Sequence, residues 1–211
     1  MDDPKFKALR LISLLKSVHI LSQLKPTCDL GMGVVSEDDK KRSIEYVKEC
    51  QNLSPDHTSV LILEVDMLIQ DGQLDRALEA VDKIITKHVD SDDCVPYVVK
   101  ANLMIQQGMG ELQNAQMMNN EIMTEMAKNR LSEFRVYFEK AIEVEPNSVE
   151  ALAQYGQYKN MFLQDSEGAL VLVAEALKHA RNRDEVLELC MLKSNIVYQL
   201  AALDELKKIS N

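Results

Sequence analysis

The sequence predicts an all-α solenoid: antiparallel helix pairs stacked one on the next, without strands. Three observations predict it. The run Phe138-Glu-Lys-Ala141-Ile142-Glu-Val-Glu-Pro146, followed by Tyr155-Gly156, sets an aromatic, a small residue, a proline and an aromatic–glycine pair at fixed offsets. Counting from Pro55 finds a related pattern, with Val47 and Cys50 before it and Gly72, Leu74, Ala77, Val81 and Ile84 after it. The composition agrees, because 46% apolar residues exclude disorder and only five Pro and seven Gly punctuate 211 residues. With 5% aromatics and no Trp, the core must rest on Leu, Ile, Val, Met and Ala.

The elements follow in order. Lys5–Lys25 lies between Pro4 and Pro26 and carries Leu11, Leu14, Leu15, Val18 and Leu21 at helical spacing. Arg10, Lys16 and His19 interrupt that stripe, so no transmembrane segment is expected there. Its five Lys and Arg outweigh Asp2 and Asp3, which also fits a mitochondrial transit peptide. Two acids directly after Met1 and the lack of Arg-Ser richness favour a first, capping solenoid helix over 1–26. Thr27–Val35 is expected to be a loop, and Ser36 an N-cap followed by acids.

Further helices are expected at 37–53, 57–71, 74–88, 95–107, 112–143, 148–163, 166–180 and 183–208, a break near Ala201 remaining open. The third pair begins at Pro96-Tyr97 and is expected to turn at Gly108. Its second helix arrives late, at Phe134 and Phe138, leaving Met109–Arg130 as an insertion. The fourth pair runs from Val149 through Gly156 to Ala169, Val173 and Ala176. Offsets of this kind, on units of about 34 residues, are those of tetratricopeptide repeats, which bury a continuous core only by stacking. One domain is therefore expected over 1–211, with repeats at 37–181 and capping helices at 183–211. Met109, Met117, Met118, Met123 and Met126 crowd the insertion. Thioethers suit varied apolar ligands, but the favoured expectation is that Met117, Ile122 and Met126 pack on the solenoid.

Charge and chemistry narrow the function. With 24 Lys and Arg against 34 Asp and Glu, the net charge is −10, which argues against nucleic acid and suits basic or amphipathic partners. An acidic surface also serves solubility alone. Cys28, Cys50, Cys94 and Cys190 are isolated, with no Cys-x-x-Cys; Cys50 and Cys190 are expected to act as small hydrophobes in a reducing compartment. His19, His57, His88 and His179 are scattered and suit helix surfaces or ends. Gly31-Met-Gly33 and Gly108-Met-Gly110 lack the context of a phosphate loop. No Ser–His–Asp or Cys–His set emerges, so no catalytic residue, metal or cofactor is expected.

The stretch from His57 onward resembles the C-terminal repeats of the 70-kilodalton import receptor family of the mitochondrial outer membrane. The resembling phrases are Asp71-Gly72-Gln73-Leu74-Asp75-Arg76-Ala77, Pro96-Tyr97-Val98-Val99-Lys100-Ala101-Asn102-Leu103 and Phe138–Pro146. The tail Ala174–Arg181 and Glu185–Cys190 looks like that family's closing helices. The resemblance implies binding of mitochondrial precursor proteins, contact with other translocase subunits, and a place on the cytoplasmic face of the outer membrane. The family's membrane anchor and N-terminal chaperone-clamp repeats have no counterpart in these residues, and the insertion at 109–130 is a further departure.

In such a solenoid the first helices would line the concave face with Ile62, Asp66, Ile69, Val98, Asn102, Ile105, Ala153, Gln157 and Asn160. Ile62, Val98 and Ile105 would anchor apolar side chains; Asn102, Gln157 and Asn160 would bond a ligand backbone. No inward Lys or Arg joins Asn102, so the acidic C-termini of heat-shock chaperones are not expected to bind. The alternative is a cytosolic scaffold or co-chaperone that holds another protein.

Overall fold

A computed structural model describes residues 4–23, 37–89 and 91–210, which form helices joined by short connections, with no strand among them. The expected loop at Thr27–Val35, the cap at Ser36, Cys28 and the Gly31/Gly33 pair lie outside the described residues. The chain divides into two compact units, residues 1–88 and 89–211.

The first unit holds α1 (Pro4–Gln23), α2 (Glu37–Leu53), α3 (Thr58–Gln70) and α4 (Leu74–Lys87). α1 packs on α2, α2 on α3, and α3 on α4. Leu11 and Leu14 meet Cys50 and Val60 in one apolar cluster. On the amphipathic α4, Ala77, Val81 and Ile84 are buried at the spacing of one helix face. His57 caps α3, its Nδ1 accepting from the backbone N–H of Ser59 at 3.2 Å. Gly72 has φ of +72°, the left-handed region where a side chain is strained, and so turns α3 into α4 within three residues.

The second unit holds α5 (Val95–Met117), α6 (Glu121–Ser132), α7 (Phe134–Val144), α8 (Val149–Phe162), α9 (Ser166–His179) and α10 (Arg183–Ser210). α5 lies along both α6 and α7, α7 packs on α8, α8 on α9, and α9 on α10. Phe134, Phe138, Tyr155, Tyr158 and Phe162 form an aromatic cluster with centroid spacings from 5.5 to 6.1 Å. Such edge-on and offset pairs add about 0.5–1.5 kcal/mol each beyond area burial. Burial raises the Tyr155 hydroxyl's pKa, and that hydroxyl donates to Glu139 at 2.8 Å. A second cluster joins Leu152 of α8, Ala169, Val173 and Ala176 of α9, and Leu189 and Ile196 of α10. At the α8–α9 crossing, a Cβ on Gly156 would stand 2.9 Å from Val173 Cγ2. Ser148 and Asp165 cap α8 and α9 through their side chains.

Three expectations change, and one open point is decided. α5 does not turn at Gly108; it runs on to Met117, because a glycine there lets Leu131 of α6 approach, with its Cα 3.2 Å from where a Cβ would sit. The insertion accordingly folds as the end of α5 returning as α6, held by Glu111–Arg130 at 2.7 Å. Met117, Ile122 and Met126 do not pack against the other helices as expected; they are 72%, 76% and 63% exposed, since Ala115, Ala127 and Leu131 already fill the α5–α6 contact. α10 is unbroken at Ala201, and Cys190 faces solvent from it rather than acting as a buried hydrophobe. By length and composition, Arg183–Leu203 passes for a membrane span, with mean hydropathy of 1.3; 11% of it is buried, and Leu189 and Ile196 make its contact with α9.

Candidate binding groove

Within the second unit α8 and α10 flank a groove of about 720 Å³. Cys94 and Val95 at the start of α5 and Glu145 and Ser148 at the α7–α8 connection complete its lining. Helical spacing builds both walls. Val149, Glu150, Ala153, Gln154 and Gln157 recur along α8 at intervals of three and four, as do Glu185, Glu188, Leu189 and Leu192 along α10. Val95, Val149, Ala153, Leu189, Met191 and Leu192 make the apolar lining. Glu145, Glu150, Glu185 and Glu188 stand against Arg181, the one basic side chain among the lining residues.

The polar groups are ordered by local bonds. Asn182 and Glu185 form a reciprocal cap at the start of α10: Glu185 N–H donates to Asn182 Oδ1 at 2.9 Å and Asn182 Nδ2 to Glu185 Oε1 at 2.7 Å. The backbone N–H of Arg181 donates to the other Glu185 oxygen at 2.7 Å. On the opposite wall Gln154 Nε2 donates to Glu150 at 3.0 Å, which turns Gln154 Oε1 towards Asn102 Nδ2 at 2.8 Å. Asn102 Oδ1 then remains buried without a donor. Where α5 meets the α7–α8 connection the Cys94 thiol donates to Ser148 Oγ at 3.3 Å, and burial pushes its pKa up to about 12, so it is no nucleophile at neutral pH.

Ala153 and Gln157 line this groove, whose second wall is α10 rather than the other first helices that the sequence predicts beside them, and Asn102 reaches it through Gln154. Asn160 is committed elsewhere: its Nδ2 donates to Gln199 of α10 and its Oδ1 accepts from Ser166, both at 2.6 Å. Val98 and Ile105 are not anchors; each is 3% exposed in the core with Phe134 and Phe138, because α5 turns that face towards α6 and α7. Ile62, Asp66 and Ile69 belong to the first unit, where Ile62 is buried in the α3 core, Ile69 is half-buried and Asp66 exposed. The α10 wall escaped sequence reasoning, which treated that helix only as a cap. Its signal was present in the three- and four-residue spacing of Glu185, Glu188, Leu189 and Leu192.

Among the described residues no group of three or more His, Cys, Asp or Glu is placed to hold a metal ion. His57, His88 and His179 sit at helix ends, His179 next to Glu175 at 3.3 Å. No protein-family model matches the chain, and no curated protein matches it.

Proposed function

We propose that the chain is a non-catalytic tetratricopeptide-repeat protein whose α8–α10 groove holds a segment of another protein. In this reading it resembles the precursor-binding part of a mitochondrial outer-membrane import receptor. The observation that carries this reading is an apolar trough rimmed by four carboxylates and one guanidinium. Apolar side chains of a targeting segment would supply affinity from the floor, and its Lys or Arg would meet Glu145, Glu150 and Glu188. The groove falls within the roughly 300–1,000 Å³ common for ligand pockets, room for a few residues of a longer segment. The same carboxylates would repel the acidic chaperone tails that a co-chaperone grips. Gln154 and Gln157 would bond the backbone of the guest.

The scaffold reading keeps one supporting observation. Met191, Val197 and Tyr198 are 66%, 49% and 76% exposed on α10, which suits contact with a folded protein. Calorimetry separates the two. A hydrophobic carrier-precursor segment should bind the parent chain, and Ala153→Trp, which fills the trough at a half-exposed position, should abolish that binding without changing the helical signal. Binding of an acidic chaperone tail with no precursor binding would replace the import reading with the co-chaperone one.

A further inference from the structure

Beyond Gly108, the end of α5 and all of α6 form a helical hairpin closed by Asn119 and Asn120, and its surface is not what folding requires. The contact between the arms is complete without its outer residues: Ala115, Ala127 and Leu131 are buried there, Leu112 is half-buried, and Glu111 bonds Arg130. Yet Met117, Met118, Ile122, Met123 and Met126, all within ten residues of the tip, are between 46% and 76% exposed. Met123 and Met126 stand three apart on α6, and Ile122 and Met126 four apart, so α6 offers a continuous apolar face. Asn120 fixes the start of that face, its Oδ1 accepting from Met123 N–H at 3.1 Å.

We infer that this hairpin tip is a docking surface, distinct from the α8–α10 groove, and that its occupant is a cationic amphipathic helix of a partner protein. The charge pattern selects that occupant. From Ala101 to Ala127 there is no Lys or Arg, while Glu111, Glu121 and Glu125 fall in the same stretch. Lys128 and Arg130 pair with Glu125 and Glu111, at 3.9 and 2.7 Å, so the excess charge of the tip is the carboxylate of Glu121. A second copy of the tip would bring this carboxylate against its own like, and an anionic lipid surface would meet the same repulsion. Thioether side chains are unbranched and polarizable, so they mould to a Leu-rich helix face without demanding one sequence. Both arms are helical and offer no strand edge, so the guest would be held by side chains, as a helix laid along the tip.

Methionine ε-methyl labelling tests this, because the tip and the groove then report separately through Met118, Met123 and Met126 against Met191. The probe is a synthetic 18-residue helix with Leu on one face and Lys on the other, and its control carries Glu in place of Lys. The Lys peptide should shift the tip methyls and the Glu peptide should not. The triple change Met118→Gln, Met123→Gln and Met126→Gln touches only exposed side chains, and should weaken Lys-peptide binding at least tenfold with an unchanged circular dichroism spectrum. Glu121→Gln with Glu125→Gln should weaken it several-fold and flatten its salt dependence. Shifts confined to Met191, equal binding of the two peptides, no binding at all, or a triple variant within twofold of the parent would each overturn the inference. Shifts confined to Met191 would do so while leaving the groove reading intact.

Discussion

Gly156→Ala measures how closely α8 and α9 approach. The added methyl would stand 2.9 Å from Val173 Cγ2 and 3.1 Å from the Ala169 carbonyl oxygen. Both distances are well inside the roughly 3.5–4.0 Å of ordinary carbon contacts. The valine methyl can rotate away, but the carbonyl is fixed in the backbone of α9. Overpacking of this kind costs about 1–3 kcal/mol. Against it stands the helix propensity of Ala over Gly, worth about 1 kcal/mol. The net expectation is a loss of up to about 2 kcal/mol. Gly110 supplies the control, since it lies inside α5 and a Cβ there would meet nothing within 4 Å. Gly110→Ala should therefore stabilise by about 1 kcal/mol. Urea unfolding followed by far-ultraviolet circular dichroism reads both. Combining Gly156→Ala with Val173→Ala should reveal a coupling of about 0.5 kcal/mol or more. If Gly156→Ala is as stable as Gly110→Ala, the helices are not as close as described, and the packing of the second unit is misassigned.

Val98→Asn should cost on the order of 1–3 kcal/mol, read by the same unfolding curves, because it buries an unpartnered amide among Phe134, Phe138 and Ile105. A variant as stable as the parent would put Val98 back on an open surface. Iodoacetamide at pH 8 should modify Cys190 quickly and spare Cys94, whose burial holds its pKa near 12, until urea is added; peptide mapping by mass spectrometry distinguishes them. Asp165 has a lowered pKa in the folded chain, mainly through its hydrogen bond from Lys159 and then that from the Gly168 N–H. Its contribution is therefore complete above its ordinary value of 3.8 and is lost as pH falls through the lower folded value. Asp165→Asn, which keeps the cap and drops the charge, should flatten the acid limb of a stability–pH profile, and an unchanged limb would refute the assignment.

The helices were legible because their signals are local. Ser148 follows Pro146 and caps α8, Gly72 sits where only a left-handed turn fits, and Phe138, Ala141, Tyr155 and Gly156 recur at the offsets of packed helix faces. What escaped was decided by residues far along the chain. A glycine at 108 satisfies either a turn or a close approach, and only Leu131, which arrives from α6, makes it the second. Val98 and Ile105 are apolar at positions that serve a groove or a core equally well; the aromatic pair Phe134 and Phe138 settles them in the core. Ala153 and Gln157 were expected beside the other first helices, whereas the groove they line has as its second wall a helix that periodicity alone marks as a cap.

The α5–α6 excursion leaves the body of its unit at Gly108 and comes back at Leu131, where the two residues touch. A detour that starts and ends at one point adds length to the chain without moving anything downstream. Phe134 and Phe138 keep their stations against Tyr155 and Tyr158 however far the detour extends. Such an appendage can be lengthened, shortened or rewritten by mutation while the packed body stays the same. The chain thereby separates the residues free to change from those that must hold the shape.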